Sequence, residues 1–148
     1  MKQKIVPPNY FMVLIILNII LHFFFPISTV INQPYTYWGL LLIVIGIYPS
    51  FWRFFTFKKH RTTTEAHKIP RILITSGLFR LSRNPTYFGM FLVLLGEAVL
   101  LGSLVTFIAP IIFIIATDLF TVPVEEKNLE KRFGKKYKTY KKKVRRWI

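Results

Sequence analysis

Apolar residues along the chain fall into four blocks, separated by short polar or strongly basic segments. The first, residues 10–27, reads "YFMVLIILNIILHFFFPI" and approaches the roughly 20 residues that a bilayer core of about 30 Å demands. Lys2 and Lys4 before it resemble the start of a signal peptide, but no small-x-small cleavage site follows, so a retained helix is expected. The second block, 35–57, carries one charge, Arg53, near an end where its side chain can snorkel, and Pro49 predicts a kink. The third and fourth, 85–101 and 104–121, are divided only by Gly102 and Ser103, which predicts a tight antiparallel helical hairpin. At about 1.5 Å per residue the third helix is short for a full span. Gly39 and Gly46, like Gly89 and Gly96, stand seven apart and mark helix faces for close packing; Gly89 can also let a ligand approach the backbone.

Charge then orients these blocks. The chain has 21 Lys and Arg against 6 Asp and Glu, and the basic residues lie between and after the apolar runs rather than within them. Residues 58–83 hold Lys58, Lys59, Arg61, Lys68, Arg71, Arg80 and Arg83 against Glu65, and the tail from Glu125 is more basic still, whereas 26–34 and 102–103 carry no charge. The positive-inside rule predicts four spans with both termini, the 58–84 loop and the 122–148 tail in the cytoplasm. The expected fold is all-α, a single polytopic membrane domain with an amphipathic C-terminal segment. Without cysteine, disulfides and thiolate chemistry are excluded, and no metal is expected. A basic, aromatic-striped segment directly after a span reads as a surface for anionic membrane lipid rather than nucleic acid.

Chemistry concentrates on the cytoplasmic side. In "SRNPTYFGM" (82–90), Asn84 is a favoured N-cap and Pro85 a favoured first helical residue, so the stretch can simply be a well-made helix start. Its amides also form an anion-receptive end, and Arg83 beside it is either a lipid anchor or the cationic part of a site. Glu125 and Glu126 stand in the first turn of a helix that Pro123 would open; they either complement its dipole or provide an anionic partner. Leu129, Phe133, Tyr137, Tyr140 and Val144 extend one apolar face, with Gly134 as a break.

The stretches "TSGLFRLSRNPTYFGMFLVLLGEAVLLGS" and "VEEKNLEKRFGKKYKTYKKKVRRWI" resemble the isoprenylcysteine carboxyl methyltransferase and phospholipid methyltransferase superfamily of membrane enzymes. The shared pattern is Gly-x-[Tyr/Phe]-Arg, Arg-[His/Asn]-Pro-x-Tyr-x-Gly, a hairpin, then Glu-Glu-x-x-Leu and Phe-Gly-x-x-Tyr with a further Tyr, and it covers about 75–148. "RTTTEAHKIP" (61–70) is similar to a Thr and Pro segment that precedes the pattern in bacterial members. The resemblance implies a methyltransferase using S-adenosyl-L-methionine at the cytoplasmic face of a bacterial inner membrane, on a lipophilic small-molecule or lipid-anchored acceptor. It implies cofactor contacts at Gly77, Leu78, Phe79, Arg83, Asn84, Pro85, Tyr87, Gly89, Glu125, Glu126, Tyr137 and Tyr140, with Arg83, Asn84, Glu125 and Glu126 at the reacting centre. Asn84 stands where eukaryotic isoprenylcysteine enzymes have His, and Leu78 where a Pro is usual.

Outside that pattern, Asp118 and Arg53 are candidates for the substrate side; Asp118 is equally a structural partner for Arg53 or Arg80. Glu97 is expected to be solvated or paired, and Asn18 and His22 to bond a neighbouring helix. Two other functions fit parts of the chain. One is a non-catalytic membrane protein whose tail binds anionic lipid or a partner; the other, a sterol-type reductase, lacks its dinucleotide glycine loop here.

Overall fold

The computed structural model describes residues 7–25, 27–60 and 70–148. Lys2, Lys4, Pro26 and residues 61–69 of the expected Thr and Pro segment lie outside them. The described chain is helical: α1 (Pro7–Phe24), α2 (Trp38–Lys59), α3 (Pro85–Leu101), α4 (Ile108–Ala116), α5 (Val122–Phe133) and α6 (Lys135–Lys143). Three stretches, Pro7–Phe24, Tyr35–Lys59 and Leu104–Phe133, are long and apolar enough to cross a membrane, while Pro85–Leu101 is shorter. Their large side chains are widely exposed, among them Phe23, Val44, Phe55 and Leu119. In water such a surface would drive association; in hydrocarbon it is the solvated face.

Packing is closest between α2 and α3, where the four glycines meet in pairs. A Cβ on Gly39 would strike the backbone of Gly96, and one on Gly46 would come 2.5 Å from the carbonyl oxygen of Gly89. Helices without a hydrophobic drive toward each other associate through such small-residue contacts. The space beside Gly89 is therefore filled by α2. Around this pair, Leu14, Leu94, Ala109 and Phe113 form a buried cluster with Tyr10 and Phe11 packed on it. Asn18 donates to Glu97 of α3 (3.2 Å), the expected bond to a neighbouring helix, whereas His22 bonds Ser103 in the hairpin connection (2.7 Å).

The hairpin closes through Gly102, whose left-handed φ of 72° ends α3. Its carbonyl accepts from Val30 (2.8 Å), and Leu104 donates to Ser28 (2.8 Å), so the 27–34 connection braces the tip. A 3-10 turn at Leu104–Phe107 precedes α4.

The helical path does not restart at Pro123. It runs from α4 through a π turn, Thr117–Thr121, directly into α5. Tyr10 of α1 explains the wide turn: its hydroxyl bonds Thr117 Oγ1 (2.7 Å) and lies 3.3 Å from Thr121 Oγ1. Because the turn has already shifted the hydrogen-bond ladder, a proline two residues later costs less than it would in a regular helix. Gly134, at φ 53°, then separates α5 from α6 as expected. In α2 the helix continues through Pro49.

Candidate functional site

Arg83 and Glu126, 43 residues apart in sequence, stand 2.7 Å apart from Nη1 to Oε1. The start of α3 and the start of α5 are brought together by the hairpin between them, since antiparallel helices return the chain to the level it left. Glu126 is 5% exposed. Lys141 Nζ (3.1 Å) and Arg146 Nε (3.3 Å) reach the same carboxylate, so three cations converge on one buried acid. The Arg83 Nη1 contact lies off the line a hydrogen bond needs, and Arg83 Nε has no hydrogen-bond partner among the described residues. Its donors are thus not saturated by the described residues. Thr86 Oγ1, one helical position past Pro85, is likewise buried without a partner.

Glu125 faces a different environment. The Tyr87 hydroxyl, on a side chain 3% exposed, donates to its Oε1 at 2.6 Å. Arg53 is close enough for its charge to act on Glu125; its guanidinium lies 4.9 Å from the Phe57 ring centre, and its Nε has no hydrogen-bond partner among the described residues. The two adjacent glutamates therefore point into separate polar groups, one ionic and one built on a tyrosine.

Two expectations about individual side chains are corrected. Asn84 occupies the N-cap position, but its side chain does not cap α3; Nδ2 donates to the Arg146 carbonyl at 3.1 Å instead. A φ of −128° with ψ 52° holds its backbone away from ordinary cap geometry. Asp118 pairs with neither Arg53 nor Arg80: it accepts from Arg146 Nη1 (3.1 Å) and Trp147 Nε1 (2.9 Å).

Arg146 and Trp147 were not among the residues predicted for the site. They reach it because α6 ends at Lys143 and Val144 is extended, which turns the following residues back over the start of α3. There Arg83 N donates to Arg145 O (3.0 Å) and Ser82 Oγ to Arg146 O (3.2 Å). One Arg in a run of eight lysines and arginines carries no mark of this role in the sequence.

Gly77, Leu78 and Phe79 form the expected turn, a 3-10 helix to Arg80, despite Leu in place of Pro. Gly77 has φ 60°, and Trp52 lies against it so closely that any side chain there would collide. Phe79 packs at a tilt against Trp52 and Phe57, and its carbonyl accepts from the Tyr140 hydroxyl at 2.7 Å. Tyr137 is 2% exposed and sits by Arg83; burial first, then the Glu126 charge, raise its hydroxyl pKa above the ordinary value. Burial also raises that of Tyr140. Both phenols are therefore held neutral, and Tyr140 acts as a donor. Hydrogen bonds that the Lys141 ammonium donates to Glu130 and Glu126 raise its pKa and fix it as a cation.

The phospholipid methyltransferase family model matches residues 35–136, which include α2, the 77–80 turn, the hairpin and both glutamates. The chain is 40% identical to an uncharacterized protein of Haemophilus influenzae over 62 residues, 42% of this chain and 98% of that one. It is 34% identical to the protein-S-isoprenylcysteine O-methyltransferase of Schizosaccharomyces pombe over 76 residues, 49% of this chain and 31% of the yeast protein. No solved structure matches. With a match that takes in the greater part of the chain and the segments that bring Arg83 to Glu126, the protein belongs to the phospholipid methyltransferase family.

Proposed function

We propose that the chain is an S-adenosyl-L-methionine-dependent methyltransferase of four spans and a single domain, with both termini, the 58–84 loop and the 122–148 tail on the cytoplasmic face of a bacterial inner membrane. The observation that carries this reading is the buried Arg83 to Glu126 contact within the family match. The methionine end of the cofactor has a carboxylate and an ammonium, so its site needs a cationic and an anionic corner. The residues present fit. Arg83, with an unused Nε, and the buried Thr86 hydroxyl suit the carboxylate; Glu126, now held by cations, suits the ammonium. Gly77, Leu78 and Phe79 with Tyr137 and Tyr140 would wall the remainder.

When bound, the cofactor supplies an electrophilic methyl on a sulfonium. The protein's part is to align an acceptor in line with it and exclude water, which burial of Tyr87, Tyr137 and Glu126 favours. The acceptor is lipophilic and reaches the site from the membrane side, where Arg53 and Glu125 stand. The basic tail holds this face against anionic lipid, and the charge serves no nucleic acid.

Calorimetry with S-adenosylmethionine or S-adenosylhomocysteine on the purified protein is expected to show saturable binding, weakened about tenfold or more in Arg83→Ala. Folded protein that binds neither compound, in detergent and in lipid, would leave a non-catalytic lipid-binding membrane protein as the better account.

Glu125 separates the acceptor classes. An amine acceptor must lose a proton and a carboxylate need not, so Glu125→Gln is expected to slow transfer to a headgroup amine about a hundredfold. Transfer to an isoprenylcysteine-like carboxylate would change little. Labelled methyl transfer into lipid and peptide extracts, compared between the two proteins, reads the difference.

A further inference from the structure

A cleft of about 670 Å³ lies between the segment leading into the 77–80 turn and α6. Three cations line it: Arg80 from the turn, and Lys136 and Lys143 from α6. Lys136, Thr139, Tyr140 and Lys143 follow the three- and four-residue spacing of one helix face; Tyr140 is buried at its base, while Lys136, Thr139 and Lys143 are exposed along it. Thr75 and Thr139 add two hydroxyls, and no carboxylate is among the lining residues.

No carboxylate among the described residues compensates this charge. Among the described residues, Glu126 and Glu130 bind Lys141, Asp118 binds Arg146, Glu125 binds Tyr87 and Glu97 binds Asn18. None pairs with Arg80, Lys136 or Lys143. Like charges held on a concave wall repel each other and focus a field that a bound anion relieves.

The donor set says which anion. Cations from two elements together with hydroxyls suit the several oxygens of a phosphoryl group. The volume exceeds what bare phosphate would fill, and Leu73, Val144 and the Tyr140 ring supply an apolar wall for attached carbon. We propose that this cleft binds a phosphodiester anion carried on a membrane lipid, at a site distinct from the Arg83 and Glu126 cluster. Tyr140 joins the two places, since its ring lines the cleft while its hydroxyl holds the Phe79 carbonyl. The proposal does not depend on methyl transfer.

The test is calorimetry on the full chain in neutral detergent with short-chain phosphatidylglycerol, short-chain phosphatidylcholine, and glycerol phosphate as the chain-free anion. Saturable binding of phosphatidylglycerol is expected, about tenfold or more weaker in the Arg80→Gln/Lys143→Gln double variant. Lys138→Gln/Lys142→Gln, which removes equal charge from positions of α6 that do not line the cleft, should bind as the parent does. Thr139→Val changes no charge and should still weaken binding. Preference for phosphatidylglycerol over glycerol phosphate identifies the lipid as the source; equal binding assigns the same phosphoryl site to a soluble molecule. Equal losses in the two double variants, or no saturable binding of any probe to folded protein, overturn the proposal.

Discussion

Glu126→Ala is expected to destabilise the protein by about 3–5 kcal/mol, the cost of leaving a buried charge without its partner. Arg83, whose side chain is 10% exposed, would lose its counter-charge, and Lys141 and Arg146 would be left facing it. The loss should appear as a lowered thermal unfolding temperature in detergent and as faster proteolysis of residues after Lys143. Glu126→Gln should fall between the parent and alanine, because it keeps shape and some hydrogen bonding but not charge. The double variant Arg83→Met/Glu126→Leu should recover much of the stability while binding no cofactor, since apolar residues of similar volume often replace a buried pair without loss. A Glu126→Ala protein as stable as the parent would mean that the cluster is solvated rather than buried.

The second large effect is steric. Gly46→Leu or Gly89→Leu should separate α2 from α3, because each added side chain would enter the other helix's backbone. Overpacking in a tight core costs about 1–3 kcal/mol, and contact with backbone rather than a flexible side chain puts these changes at or beyond the upper end. Loss of folded protein on size-exclusion chromatography is the expected readout. Gly134→Ala is the control, since nothing lies within 4 Å of a Cβ there, although its positive φ of 53° adds modest strain. If Gly89→Leu folds normally, α2 and α3 are not packed as described.

The helices were legible because their apolar runs have spanning length, and the site's central contact because two motifs flank a two-residue hairpin break. What marked Arg83 and Glu126 was local: the start of α3 on one side of the turn, and the paired glutamates after the fourth apolar run on the other. Asp118, by contrast, could not be assigned a partner, because Arg146 reaches it only after α6 stops and Val144 turns the chain back. The run from Lys135 to Arg146 looks uniform in sequence, and only packing makes Lys141 and Arg146 site residues while Lys138 and Lys142 stay exposed. The continuity of α4 into α5 was hidden for a similar reason. Pro123 is a sound start signal, but Tyr10, more than a hundred residues away, holds the hydroxyls of Thr117 and Thr121 and keeps the helix going.

That π turn also separates two registers. Each residue of a helix advances direction by about 100°, so adding or removing one position within 117–121 would swing Glu125 and Glu126 away from Tyr87 and Arg83 while α4 kept its lipid-facing side. The span can thus drift in composition as long as it stays apolar, whereas the distance in residues from α4 to the glutamates is fixed. Selection on this stretch would act on its length before its letters.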